Sequence, residues 1–304
     1  MTMKRLLTLT VAAVALLAPV FPTFADSEPA SAAAPAISAP DKSGRVTVNG
    51  LDYYYEIRGK GEPLLLLHGG LGSIDMFGPV LPAFAQERQV IAVDLHGHGR
   101  TALGDRKLSL EAMGDDMKGI LDRLGYKQVD VLGYSLGGGV GFRLAVQHPQ
   151  AVRRLVLLSA GYASSGFFEE IRAQQNTINA DAMQFMKDTP MYQSYVKVAP
   201  KPDDFPRLLN ALGDFMRKDY DYSADVPKLK MSVMLVFGDG DMYRPEHMIK
   251  FYQSLGGGLK DAGWMRENLS QHRLAILPNA THYDILYSPG LVSTTLPFLN
   301  GYPK

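Results

Sequence analysis

Ser135, Asp241 and His282 are the residue types that together turn an alcohol into a nucleophile. A serine hydroxyl reacts poorly until a base takes its proton, and an imidazole serves as that base when a carboxylate or similar group orients it. Ser135 stands in Gly133-Tyr-Ser-Leu-Gly137, which fits GxSxG. Glycine is required two residues before and two after the serine because a strained strand-to-helix turn brings the two segments too close for a Cβ. In a chain with 30 glycines the pattern by itself could mark an ordinary turn, so its context decides. Val129, Val131 and Leu132 precede it as a buried strand. Val140, Leu144 and Ala145 then form one helical face, with Pro149 just past its end. Leu136 opens that helix, so its N–H points to where a reacting oxygen would sit, aided by the positive end of the helix dipole.

Other elements must bring the acid and the base to this turn. Arg45-Val-Thr-Val and Leu51 to Ile57 flank Asn49-Gly50, the strongest short hairpin signal, and predict two antiparallel strands. Pro63 to Leu67 is an unbroken apolar run, as in strands covered on both faces. A helical segment is expected after it to about Gln86, then a strand at Val90 to Val93. Ser109 is placed to cap a helix whose apolar face is Leu110, Met113, Met117, Ile120, Leu121 and Leu124, with Gly125 as its stop. Further strands follow at Leu155 to Leu158, Val233 to Phe237 and Leu274 to Leu277, with helices from near Pro245 and to about Asn300. Strands alternating with helices predict an α/β fold, a mostly parallel sheet with helices on both faces. Ser135, Asp241 and His282 each fall just after a strand, where open α/β sheets place their sites. Ser, acid, His is also the chain order this class of fold uses.

Taken together, LLLLHGG (Leu64 to Gly70), DLHGHG (Asp94 to Gly99), GYSLGGG (Gly133 to Gly139), VFGDGD (Val236 to Asp241) and LPNATH (Leu277 to His282) are specific. From about Arg45 onward the chain resembles the α/β-hydrolases, in the branch with small esterases, lactonases and cofactor-free haloperoxidases. The resemblance implies Ser135 as nucleophile, His282 as general base and Asp241 as orienting acid. Asp239 competes for the acid role, and the family spacing after Gly238 favours Asp241. The resemblance also implies an oxyanion hole from the N–H groups of Leu136 and Gly70, with Leu71 as the fallback for the second donor. Relatives that displace at sp³ carbon carry aspartate at the elbow; serine here favours acyl chemistry. No cofactor is implied. Arg100 departs from the pattern, since a serine commonly follows the DxxGxG turn; it is expected in solvent, or else as a cation near the entrance.

His68, His96 and His98 read as loop structure rather than a metal cluster, because no further ligands have suitable spacing. His148, His247 and His272 are expected at the surface. The chain has 31 basic and 31 acidic residues, so nothing favours nucleic acid or an anionic membrane as partner. With no cysteine there are no disulfides, thiolate metal sites or lipid attachment, and the core alone must hold the fold.

Residues 1–25 read as a signal peptide: Lys4 and Arg5, the apolar run Leu6 to Val20, and a small-residue site before Asp26. A retained anchor is the alternative. Residues 26–43, rich in Ala, Pro and Ser, read as a disordered tether. The core is expected over 44–161 and 227–304, with a helical cap at 162–226 where strand-like runs vanish and Met, Phe and Tyr are scattered. The expected protein is an exported, periplasmic or secreted serine hydrolase of a hydrophobic ester or lactone, a macrolide lactone being one instance. The same site used for perhydrolysis, C–C hydrolysis or acyl transfer, and a non-catalytic binding protein, are the other readings.

Overall fold

The computed structural model describes residues 39–78 and 80–301. The expected signal peptide and all but the last five residues of the expected tether lie outside the described residues. The first strand, β1 (Lys42–Val48), starts two residues inside that tether, because Lys42 and Ser43 pair with Ile57 and Glu56 of β2 (Leu51–Arg58). Asn49 and Gly50 join these strands with φ of 48° and 80°, the double left-handed turn that suits strand twist.

Next come β3 (Pro63–Leu67), a 3-10 turn at Ile74–Phe77 and α1 (Leu81–Glu87), where one longer helical segment is predicted. Then follow β4 (Gln89–Val93), α2 (Leu110–Leu124), β5 (Val129–Tyr134), α3 (Leu136–Gln147) and β6 (Val152–Leu158). Between β6 and the next strand lie α4 (Glu169–Asn176), α5 (Met183–Met186), α6 (Pro190–Val198) and α7 (Phe205–Met216). The chain then supplies β7 (Ser232–Gly240), α8 (Pro245–Ser254), β8 (Arg273–Thr281) and α9 (Gly290–Asn300).

The sheet has the order β1-β2-β4-β3-β5-β6-β7-β8. Its first pairings, β1 with β2 and β2 with β4, are antiparallel, and all the others are parallel. This is the mostly parallel sheet that the strand and helix rhythm predicts, in the architecture that the resemblance to α/β-hydrolases implies. The leucine run of β3 shows why it is unbroken: Leu65 and Leu67 face Met113 and Val140, while Leu64 and Leu66 face Phe77, Phe84 and Phe298. Each leucine, fully buried, contributes about 1.5–3 kcal/mol.

Helix α2 begins where predicted, with Ser109 Oγ accepting from the Ala112 N–H at 3.3 Å, and ends at Gly125 with φ of 86°. Its buried Asp116 accepts from the Tyr53 hydroxyl at 2.5 Å and the Asn49 amide at 2.8 Å, which fastens the opening hairpin to the helix layer. In the segment between β6 and β7, Tyr195, Phe205, Leu208, Leu209 and Leu212 form a separate apolar cluster with Leu103 and Leu108. Leu71, from the loop after β3, packs against it.

Candidate active site

Ser135 occupies the apex between β5 and α3 with φ of 53° and ψ of −116°, outside the regions an L-residue prefers. The close approach that the glycines permit is direct. A Cβ on Gly133 would lie 2.2 Å from the Gly137 carbonyl oxygen, and one on Gly137 would lie 2.1 Å from that of Leu67. Leu71 (φ 56°), in the loop four residues past β3, and Ser159 (φ 50°), directly after β6, also have positive φ. Such strain collects where geometry is dictated by function.

The structure brings Ser135, His282 and Asp241 together. His282 Nε2 lies 3.0 Å from Ser135 Oγ, and its Nδ1 lies 3.2 Å from Asp241 Oδ1. A carboxylate only accepts, so Nδ1 carries the proton and Nε2 is left to accept from the hydroxyl. Both Asp241 and His282 are buried, and Ser135 is partly exposed. Asp241 Oδ1 also accepts from the Met242 N–H at 2.8 Å, and Oδ2 from the Gly238 N–H at 3.3 Å. Asp239 is exposed and accepts from the Ala280 N–H at 3.2 Å; backbone donors at Asn279 and Ala280 hold its carboxyl below the ordinary range. It shapes the turn and does not reach the imidazole.

Sequence reasoning passed over Ser159. Its Oγ donates to Asp241 Oδ2 at 2.5 Å, and it is fully buried. The only available signal was its position, a polar residue directly after a buried strand at the site edge. Tyr134 was missed likewise: its hydroxyl donates to the His282 carbonyl at 2.5 Å.

Two backbone donors stand beside the nucleophile. The Gly137 N–H is engaged by the His68 carbonyl at 3.0 Å, whereas Leu136, the first residue of α3, has no acceptor for its N–H among the described residues. Neither Gly70 nor Leu71 donates to a described residue, and a Cβ on Gly70 would meet nothing within 4 Å. The N–H groups of Leu136, Gly70 and Leu71 are thus left without acceptors among the described residues.

The loop carrying Gly70 is braced from below. Buried Asp94 accepts from the Ile74 N–H at 2.7 Å and the Arg100 N–H at 2.7 Å. Arg100, expected in solvent, instead bridges Asp94 at 3.2 Å and Asp75 at 3.1 Å and lies 5.0 Å over the Tyr54 ring. The acidic pair on either side of the guanidinium outweighs its hydration. Burial raises the Asp94 carboxyl, and the hydrogen bonds and Arg100 pull it back.

The histidines need a further correction. His247 and His272 are buried, not at the surface. His247 stacks on Tyr162 at 4.3 Å because α8 turns His247, Met248 and Phe251 inward together. His272 Nδ1 accepts from the Val233 N–H at 3.2 Å. His68 is satisfied at both nitrogens, through the Gly69 carbonyl at 2.7 Å and the Leu95 N–H at 2.9 Å. Burial pushes it down to about 4 and His98 to about 3. Among the described residues no group of three or more His, Asp or Glu is placed to hold a metal ion.

A recess of about 810 Å³ lies beside α4, lined by Arg172, Asp219, Tyr220 and Arg244 among others, but not by Ser135, Asp241 or His282. Its arginines are engaged, Arg172 with Asp219 at 2.7 Å and Arg244 with the Ser165 carbonyl at 2.6 Å. The nucleophile does not open into it.

Comparison with known proteins agrees with this architecture. Residues 62–189 match the family model described as the alpha/beta hydrolase fold. The chain is 32% identical over 140 residues to 2-hydroxymuconate semialdehyde hydrolase from Pseudomonas sp. strain CF600, covering 45% of this chain and 50% of that one. It spans about half the length of the curated relatives it matches. The enol-lactonase of Burkholderia xenovorans LB400 superposes with a TM-score of 0.64 at 19% identity, over 85% of this chain and 100% of that one. The carboxylesterase CesB of Bacillus subtilis gives 0.62 at 22%, over 86% and 92%. The chain has the α/β-hydrolase fold, and the family model for that fold matches part of it.

Proposed function

We propose that the protein is a serine hydrolase that cleaves a carboxylic ester or lactone through an acyl-enzyme on Ser135. The observation that carries this reading is the continuous line Ser135–His282–Asp241, with separations of 3.0 and 3.2 Å. His282 Nε2 takes the Ser135 proton as Oγ attacks the carbonyl carbon. The N–H groups of Leu136 and Gly70 hold the resulting oxyanion. The tetrahedral intermediate collapses, its C–O bond breaks, and the leaving alcohol departs with the proton from His282. Water then attacks the acyl carbon with His282 again as base, releasing the acid and restoring Ser135. Asp241 keeps the imidazole in the right tautomer and stabilises it when charged.

The helices between β6 and β7 act as the cap. Their apolar cluster meets Leu71, next to the Gly70 donor, and Met183 and Met186 pack against it, which supports a hydrophobic acyl or alcohol portion. Hydrolases among the relatives support hydrolysis as the reaction class. Export rests on the N-terminal sequence, Lys4, Arg5 and the apolar run to Val20, and fractionation with mass analysis of the mature N-terminus tests it.

The deciding experiment is a hydrolysis screen of purified protein on acyl esters, lactones and amides of graded size, with Ser135→Ala alongside. Hydrophobic esters or lactones should turn over, and Ser135→Ala should lose roughly 10⁴-fold or more in kcat while remaining folded. A Ser135→Ala protein as active as its parent ends the mechanism.

A further inference from the structure

We propose that Ser159 is a positioning residue for the acid, holding Asp241 so that Oδ1 alone is offered to His282; this rests on the serine-hydrolase reading above. The two carboxylate oxygens divide their partners. Oδ1 receives His282 Nδ1 and the Met242 N–H, whereas Oδ2 receives the Ser159 hydroxyl at 2.5 Å and the Gly238 N–H at 3.3 Å. An O–H donor to a carboxylate at that distance is a charge-assisted bond, among the stronger kinds available to a side chain. It opposes rotation of the carboxyl group about its own axis.

The backbone supplies an independent argument. Ser159 has φ of 50°, a conformation that glycine adopts freely and an L-residue adopts under strain. Glycine there would relieve the strain, so the serine is accounted for by what its side chain does. That side chain is fully buried, and among the described residues its hydrogen bond goes to Asp241. The Ser159 N–H also donates to the Val236 carbonyl at 2.8 Å, tying the end of β6 to β7, the strand from which Asp241 hangs. Donor and acceptor are therefore held in register by the sheet itself.

The test compares Ser159→Gly and Ser159→Ala with the parent in full-length protein. Two quantities are read: kcat and KM on a p-nitrophenyl ester that the parent hydrolyses, and the chemical shift of the His282 Nδ1 proton by NMR. Both variants should lose roughly tenfold in kcat with KM changed by less than about twofold. With the hydroxyl gone the carboxyl group can turn, the Nδ1–H···Oδ1 bond loosens, and that proton should move upfield. The other titratable groups facing this pair, Tyr134 of β5, Tyr243 after β7 and Tyr283 after β8, are present in both variants. Ser159→Gly should be at least as thermostable as Ser159→Ala because it relieves the backbone, so a matching loss of kcat in both assigns the effect to the hydroxyl. Parent-like kcat and an unmoved Nδ1 proton signal in the two variants overturn the proposal. Ser135→Ala, run beside them, separates the outcomes: if it hydrolyses as its parent does, the serine-hydrolase reading falls, while the Nδ1 proton signal still reports on Ser159.

Discussion

The phenol of Tyr134 donates a 2.5 Å hydrogen bond to the main-chain carbonyl of His282, joining the residue before the nucleophile to the base itself. The two rings lie 5.4 Å apart. Position along the central strand β5 is thereby transmitted to a loop at the far edge of the sheet. Tyr134→Phe keeps the ring and leaves the carbonyl without its donor, at a cost of about 1–3 kcal/mol. Turnover should fall roughly 10- to 100-fold through misplacement of the imidazole, measured as kcat beside a thermal melt.

The glycines of the site differ in what they tolerate. Gly137→Ala would set a Cβ 2.1 Å from the Leu67 carbonyl oxygen, so it should destabilise by roughly 4 kcal/mol or more, seen as insoluble or unfolded protein. Gly70→Ala points into open space and leaves the N–H in place. It should melt like the parent and keep kcat within a few-fold.

Arg100→Ser restores the residue that commonly follows this turn, yet here it should harm. It removes the bridge between Asp94 and Asp75, costing about 1–3 kcal/mol and loosening the loop that carries Gly70. Burial raises the Asp94 carboxyl, and loss of the cation raises it further. A carboxyl whose folded value exceeds its unfolded one favours the protonated folded state, so folding weakens as pH rises between the two values. Urea midpoints for Arg100→Ser should accordingly lie closest to those of the parent at acid pH and fall furthest behind near neutrality.

Acid should unfold the parent through His68 and His98, whose buried rings are held neutral down to about 4 and about 3. An unfolded chain protonates both near 6.5, so it binds more protons than the folded one below that pH. Stability is full above about 6.5 and declines as pH drops toward about 4. Urea titrations at pH 7 and 5 should show this, and His98→Gln should flatten the slope.

Much of this was legible because motif and element signals coincide. Ser135, Asp241 and His282 could be read together since each follows an apolar run of strand length, and a parallel sheet collects such ends on one edge. Ser109 and Gly125 bounded α2 because capping is local chemistry. What escaped depends on partners distant in sequence. Ser159 belongs to no motif, and its role exists only because β6 lies beside β7. Arg100 looked exposed because Asp75 and Asp94 reach it only after folding. His247 looks exposed in sequence because the apolar face of α8 is short, and its Tyr162 partner comes from the loop after β6. The first strand was placed late because its opening Lys-Ser looks like linker until it pairs with β2.

His282 is delivered by β8, the outermost strand, which is hydrogen-bonded on one side alone and is left half-covered along most of its length. Nucleophile and acid, by contrast, hang from interior strands. Peripheral strands fray at lower cost than central ones, so amide exchange at Ala280 and Thr281 should outpace that at Val131 and Leu132. On warming, the base should therefore detach while the rest of the sheet is intact, and catalysis should fade some degrees before the scaffold melts.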